Sequence, residues 1–112
     1  NLKDDSSLIS IDKIDPIDFY SNNNNWQFHK MDCLDYYIDG KIDFLMIDCD
    51  PPLELFQKIL EKYGKHVKKY FCIHDSNYYK LNEIIEQWAE QNNFDIVLQV
   101  KDNLGFMALE SR

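Results

Sequence analysis

The chain is short of positive charge. Twelve Lys plus Arg stand against twenty Asp plus Glu in 112 residues, a formal net charge of −8. A basic face supplies most of the affinity for nucleic acid or an anionic membrane, so this balance argues against both as partners. A small neutral or cationic ligand stays open. Long apolar runs are missing too: no stretch reaches the roughly 20 residues that span a bilayer. The opening "NLKDDSS" has no basic region followed by an apolar one, so it is not expected to be a signal peptide. Cysteine is scarce. Cys33, Cys49 and Cys72 are odd in number and lack metal-finger spacing. They are expected as reduced, half-buried thiols of a cytosolic protein.

What is present is a globular composition, 45% hydrophobic and 14% aromatic. That suits a single domain over 1–112 with one modest core. "SLISID" (Ser7 to Asp12) reads as a strand. "DPIDFY" suggests a short helix or turn, with Pro16 suited to a first turn, and an asparagine loop follows. "WQFHKM" alternates at its start, placing Trp26 and Phe28 on one face and Gln27 and His29 on the polar one. "IDFLMID" is a nearly continuous apolar run, as in a strand covered on both faces. "PPLELFQKILEKYGK" predicts a helix with Leu53, Phe56, Leu60 and Tyr63 on one stripe. Asp50 and Pro51 suit its start and Gly64 its end. "KKYFCIHD" predicts a strand. "SNYYKLNEIIEQWAEQNN" predicts a helix with Leu81, Ile84, Ile85 and Trp88 at core spacing. "FDIVLQV" and "GFMALES" read as a closing antiparallel hairpin across "KDNL". Strands alternating with helices predict an α/β fold with a mostly parallel sheet.

In such a sheet, ligands bind beyond the carboxyl ends of the strands. The first predicted strand ends in Asp12, the second in Asp32 and Cys33, the third in Asp48, Cys49 and Asp50, the fourth in His74, Asp75 and Ser76. Each acid alone has a plain alternative, as a cap or turn residue. Four at one edge would repel one another unless a cation or hydrogen-bond donors meet them. His74 is the only histidine at a strand tip; His29 and His66 are expected in solvent.

The ordered set Ile47-Asp48-Cys49-Asp50, His74-Asp75-Ser76 and Asn103-Leu104-Gly105-Phe106 resembles the C-terminal half of class I S-adenosylmethionine-dependent methyltransferases. The nearest group is the small-molecule O-methyltransferase and cephalosporin-hydroxylase-like one. "SLISID" and "WQFHKMDCLD" resemble the two preceding strands. The resemblance implies a Rossmann-like fold and S-adenosylmethionine as cofactor, with a small-molecule hydroxyl as acceptor. It implies that Asp12 binds the ribose hydroxyls, that Asp32 and Cys33 face the adenine, and that Asp48, His74 and Asp75 are catalytic. In metal-dependent relatives Asp48 and Asp75 would hold a divalent cation, with Mg²⁺ suiting such oxygen ligands.

The sequence departs from that pattern twice. Pro51-Pro52 replace the histidine that follows the acidic pair. The first strand and its Gly-rich loop are missing: none of the three glycines (Gly40, Gly64, Gly105) follows "SLISID". If "SLISID" closes the gap by pairing with "IDFLMID", the strand order along this chain becomes 2-1-3-4-6-5, with the closing hairpin antiparallel. The departures, and exposed tyrosines expected at Tyr36, Tyr37, Tyr78 and Tyr79, keep open a non-catalytic binding or assembly module on a degenerate methyltransferase scaffold. Such a surface also suits a homodimer. A receiver-like phosphoacceptor domain fits "DFLMID" but not the closing hairpin. A metal-dependent glycosyltransferase fits "DCD" but needs a much longer chain.

Overall fold

The computed structural model describes residues 6–14, 25–48, 53–77 and 81–112. The expected short helix after Asp15, the Asp50–Pro51 cap, Cys49, Tyr78 and Tyr79 lie outside them. The chain divides into two compact units, residues 1–37 and 38–112.

The first unit holds strands β1 (Leu8–Asp12) and β2 (Trp26–Lys30). They pair in parallel, from Leu8 opposite Trp26 to Asp12 opposite Lys30. Backbone bonds from Leu8 N–H to the Asn25 carbonyl and from Met31 N–H to the Asp12 carbonyl extend the ladder at both ends. The Trp26 indole N–H donates to Ser10 Oγ at 3.0 Å. A single 3-10 turn at Cys33–Asp35 follows β2.

The second unit runs β3 (Ile42–Ile47), α1 (Leu53–Gly64), β4 (Val67–His74), α2 (Leu81–Gln91), β5 (Phe94–Val100), β6 (Phe106–Ser111). Its sheet is ordered β3-β4-β6-β5. β3 and β4 are parallel, whereas β6 is antiparallel to both β4 and β5.

These pairings overturn the single, mostly parallel sheet ordered 2-1-3-4-6-5. Among the described residues there are two sheets: β1 ladders to β2, and β3, β4, β6 and β5 follow in the expected order, but the expected link between β1 and β3 is not made. β1 and β2 ladder to each other along one edge over their whole length, a pairing that does not require β3 on the other edge of β1. The parallel character is lost in the second sheet because its reversed strand, β6, lies inside it. One interior reversed strand makes two antiparallel ladders.

The core of the second unit joins both helices to one sheet face. Phe56, Ile59, Leu60 and Tyr63 of α1 are buried, as are Leu81, Ile85 and Ala89 of α2. Ile47, Phe71, Ile73, Phe94, Met107 and Leu109 meet them from the strands. Each such side chain contributes about 1.5–3 kcal/mol by leaving water. Ile59 is buried with the stripe, whereas Leu53, expected on it, is exposed. Phe44 and Met46 are also exposed, so β3 is not covered on both faces among the described residues.

Gly64 lies within α1 rather than beyond it, and its φ is not positive. A Cβ there would sit 2.3 Å from Trp88 Cζ2. Trp88 of α2 in turn packs its ring 5.7 Å from Phe71 and 5.1 Å from Phe94, centroid to centroid. The glycine therefore serves close helix–helix approach, not left-handed termination.

Candidate functional site

The four acids expected at one edge divide between the units: Asp12 and Asp32 in residues 1–37, Asp48 and Asp75 in residues 38–112.

In the first unit, parallel pairing puts Asp12 and Asp32 at the same end of the two strands. Both carboxylates serve their own backbone. Asp12 Oδ1 accepts from Ile14 N–H at 3.3 Å. Asp32 Oδ1 accepts from Leu34 N–H at 2.9 Å, capping the 3-10 turn, and its Oδ2 lies 3.4 Å from the Lys13 ammonium. The Leu34 amide chiefly, with Lys13 and the Cys33 thiol, holds the Asp32 carboxyl below the ordinary value against the opposing effect of desolvation. These are the turn and cap roles that small acids commonly take after a strand.

His29 departs from expectation. Its Nε2 is buried and has no hydrogen-bond partner among the described residues, and its ring lies 5.1 Å from that of Tyr36, which is half-buried. His66 is half-buried too, with Nδ1 3.0 Å from the Gly40 carbonyl.

The second unit brings three of the sequence-nominated residues together. Because β3 and β4 run in parallel with Ile47 opposite Ile73, the next residues, Asp48 and His74, emerge side by side. Asp48 Oδ1 lies 3.1 Å from His74 Nδ1, and Asp75 Oδ1 lies 2.9 Å from the same nitrogen. The side chains of Asp48 and His74 are 65% and 50% exposed, that of Asp75 only 14%. One nitrogen thus serves two carboxylates, and it can donate at most one proton to them.

Adjacent residues of a strand point to opposite faces, so His74 and Asp75 would ordinarily diverge. They converge because Asp75 leaves the strand with φ of 61°, a left-handed conformation. Aspartate tolerates that region better than most residues. Asp75 N–H donates to the Gly105 carbonyl at 3.0 Å and Asn77 N–H to the Leu104 carbonyl at 2.7 Å. Gly105 itself has φ of 84°, and a Cβ there would lie 2.8 Å from Ser76 Oγ and 2.9 Å from Asn77 N. Ser76 Oγ is buried without a hydrogen-bond partner among the described residues. Nothing in residue spacing announces the reach from Asn77 to residues 101–105, or the left-handed turn at Asp75.

The donor set suits a small divalent cation. One ligand atom from each of Asp48, His74 and Asp75 lies within 4.8 Å of the other two. Opposed ligands of such an ion stand about 4–4.4 Å apart, a spacing that two half-exposed side chains reach by small rotations. An imidazole beside two carboxylates widens the choice from Mg²⁺ to Mn²⁺ or Zn²⁺. S-adenosylmethionine finds less: no glycine follows β1 to let the backbone approach it, and Asp12 and Asp32 are engaged with their own turns. No family model, curated protein or solved structure matches this chain.

Proposed function

We propose that residues 38–112 bind a divalent cation through Asp48, His74 and Asp75 and act on a small-molecule hydroxyl, as in the metal-dependent methyltransferases the sequence resembles. The convergence of two carboxylates on His74 Nδ1 at the ends of adjacent parallel strands carries this reading. A bound cation would orient the hydroxyl and lower its pKa. Asp48 is the most exposed of the three and so the most open to an incoming acceptor. Asp75, the most buried, presents its carboxylate beside His74 Nδ1. The methyl donor proposed with this reading is S-adenosylmethionine, on the ground of the resemblance alone.

A second reading is a binding module on a degenerate methyltransferase scaffold. The engagement of Asp12 and Asp32 with their own backbones favours it. Calorimetric titration with S-adenosylmethionine and S-adenosylhomocysteine, with and without Mg²⁺ or Mn²⁺, separates the two. Binding of both cation and cofactor supports the enzyme. Cation binding without cofactor at millimolar concentration supports the module. If no cation binds, the proposal fails.

A further inference from the structure

We propose that the β5–β6 connection, residues 101–105, is the positioning element of the Asp48–His74–Asp75 centre, acting through Asp75 and locked by Asn77. The inference rests on the cation reading above and adds to it residues that offer no ligand. Asp75 is useful only while its backbone stays left-handed, since an extended Asp75 would send its carboxylate away from His74. Left-handed geometry is strained for an L-residue and is held where the surroundings favour it.

Here the surroundings are the hairpin connection. Two backbone bonds, Asp75 to Gly105 and Asn77 to Leu104, tie the strand tip to it. The connection is itself closed by Gly105 N–H donating to the Asp102 carbonyl at 3.1 Å. Asn77 then bolts the arrangement from the side. Its Nδ2 donates to the Lys101 carbonyl, and its Oδ1 accepts from Asn82 Nδ2 of α2 at 3.2 Å. Gly105 is required because the space a side chain would fill holds Ser76 Oγ and the Asn77 amide. The chain of dependence runs from α2 through Asn77 to the connection, then through Gly105 to the Asp75 backbone and so to its carboxylate.

The test compares Mn²⁺ affinity, read by calorimetry, of the wild type, Asn77→Ala, Gly105→Ala and a control, Asn92→Ala. Asn92 makes a comparable bond, from Nδ2 to the Trp88 carbonyl at 2.8 Å, but at the far end of α2. Asn77→Ala and Gly105→Ala are each expected to weaken Mn²⁺ binding about tenfold, as loss of a supporting residue does. Asn92→Ala should bind as the wild type does at similar loss of stability. Undiminished affinity in a folded Asn77→Ala protein, or an equal loss in Asn92→Ala, overturns the positioning role while leaving the cation reading standing. Absence of Mn²⁺ binding in the wild type overturns both. Should the variants not fold, hydrogen exchange on the wild type decides: bound Mg²⁺ or Zn²⁺ should slow exchange in both 75–77 and 101–106. Protection confined to 75–77 contradicts the coupling.

Discussion

Replacing Gly64 by alanine pits two effects of opposite sign against each other. Within a helix, alanine is favoured over glycine by up to about 1 kcal/mol, and α1 includes Gly64 as its last residue. Against that stands the Trp88 indole. The new methyl would lie 2.3 Å from Cζ2, 3.0 Å from Cε2 and 3.1 Å from Cη2. Ordinary carbon contacts begin at about 3.5 Å, so the ring must retreat by about 1 Å. Phe71 and Phe94 hold that ring, and each aromatic pair is worth about 0.5–1.5 kcal/mol beyond its area. Overpacking of this kind typically costs about 1–3 kcal/mol. The steric effect wins, and Gly64→Ala should destabilise by about 1–2 kcal/mol. Urea unfolding followed by circular dichroism measures this. The informative comparison is the same substitution in a Trp88→Leu background, where the clash is gone and alanine should be neutral or mildly stabilising. Stabilisation by Gly64→Ala in the wild type, or an equal effect in both backgrounds, would refute the reasoning.

Other substitutions read separate parts of the account. Phe71 is wholly buried between the sheet and Trp88, so Phe71→Ala should cost about 3–5 kcal/mol in the same assay. Ser76→Ala removes a buried hydroxyl that has no partner among the described residues, and should be neutral or stabilising despite its burial. The Asp32 carboxyl is held below its ordinary value in the folded state, so its contribution is present above about pH 4. It should fade as pH falls through the lowered folded value, and carboxyl-carbon NMR should place that midpoint below that of a model aspartate. Burial pushes the Cys72 thiol up, so it should react with iodoacetamide at pH 8 more slowly than free cysteine, and denaturant should abolish the difference.

The local elements were readable because each carries its own pattern. The alternation in "WQFHK" and the helical stripe through Phe56, Leu60 and Tyr63 both match the chain's geometry. The sheet's assembly was readable only in part. Within the second sheet the neighbours do follow the expected 3-4-6-5, with β6 between β4 and β5. β1 does pair with β2 as expected, but whether it also joins β3 depends on which edges meet, and neither hydropathy nor length records that. Gly64 was misread for a similar reason: a terminal glycine usually marks a left-handed cap, whereas this one makes room for a tryptophan 24 positions on. At the centre, the residue types at the tips of β3 and β4 pointed to Asp48, His74 and Asp75. The reversal at Asp75 and its support from Asn77 and Gly105 arise from contacts distant in sequence. His29 shows the converse, a residue on the polar parity of its strand whose Nε2 is nonetheless buried.

The measurement closest to the central claim is a Mn²⁺ titration in which free ion is counted by electron paramagnetic resonance, run on the wild type, Asp48→Asn, Asp75→Asn and the double variant. Asparagine preserves shape at both positions and tolerates the left-handed backbone of Asp75, so charge and ligation change while the fold stays. The account predicts one bound ion per wild-type chain, weaker binding in each single variant, and none at comparable concentration in the double variant. One ion bound with equal affinity by all four proteins, or none by the wild type, would contradict it.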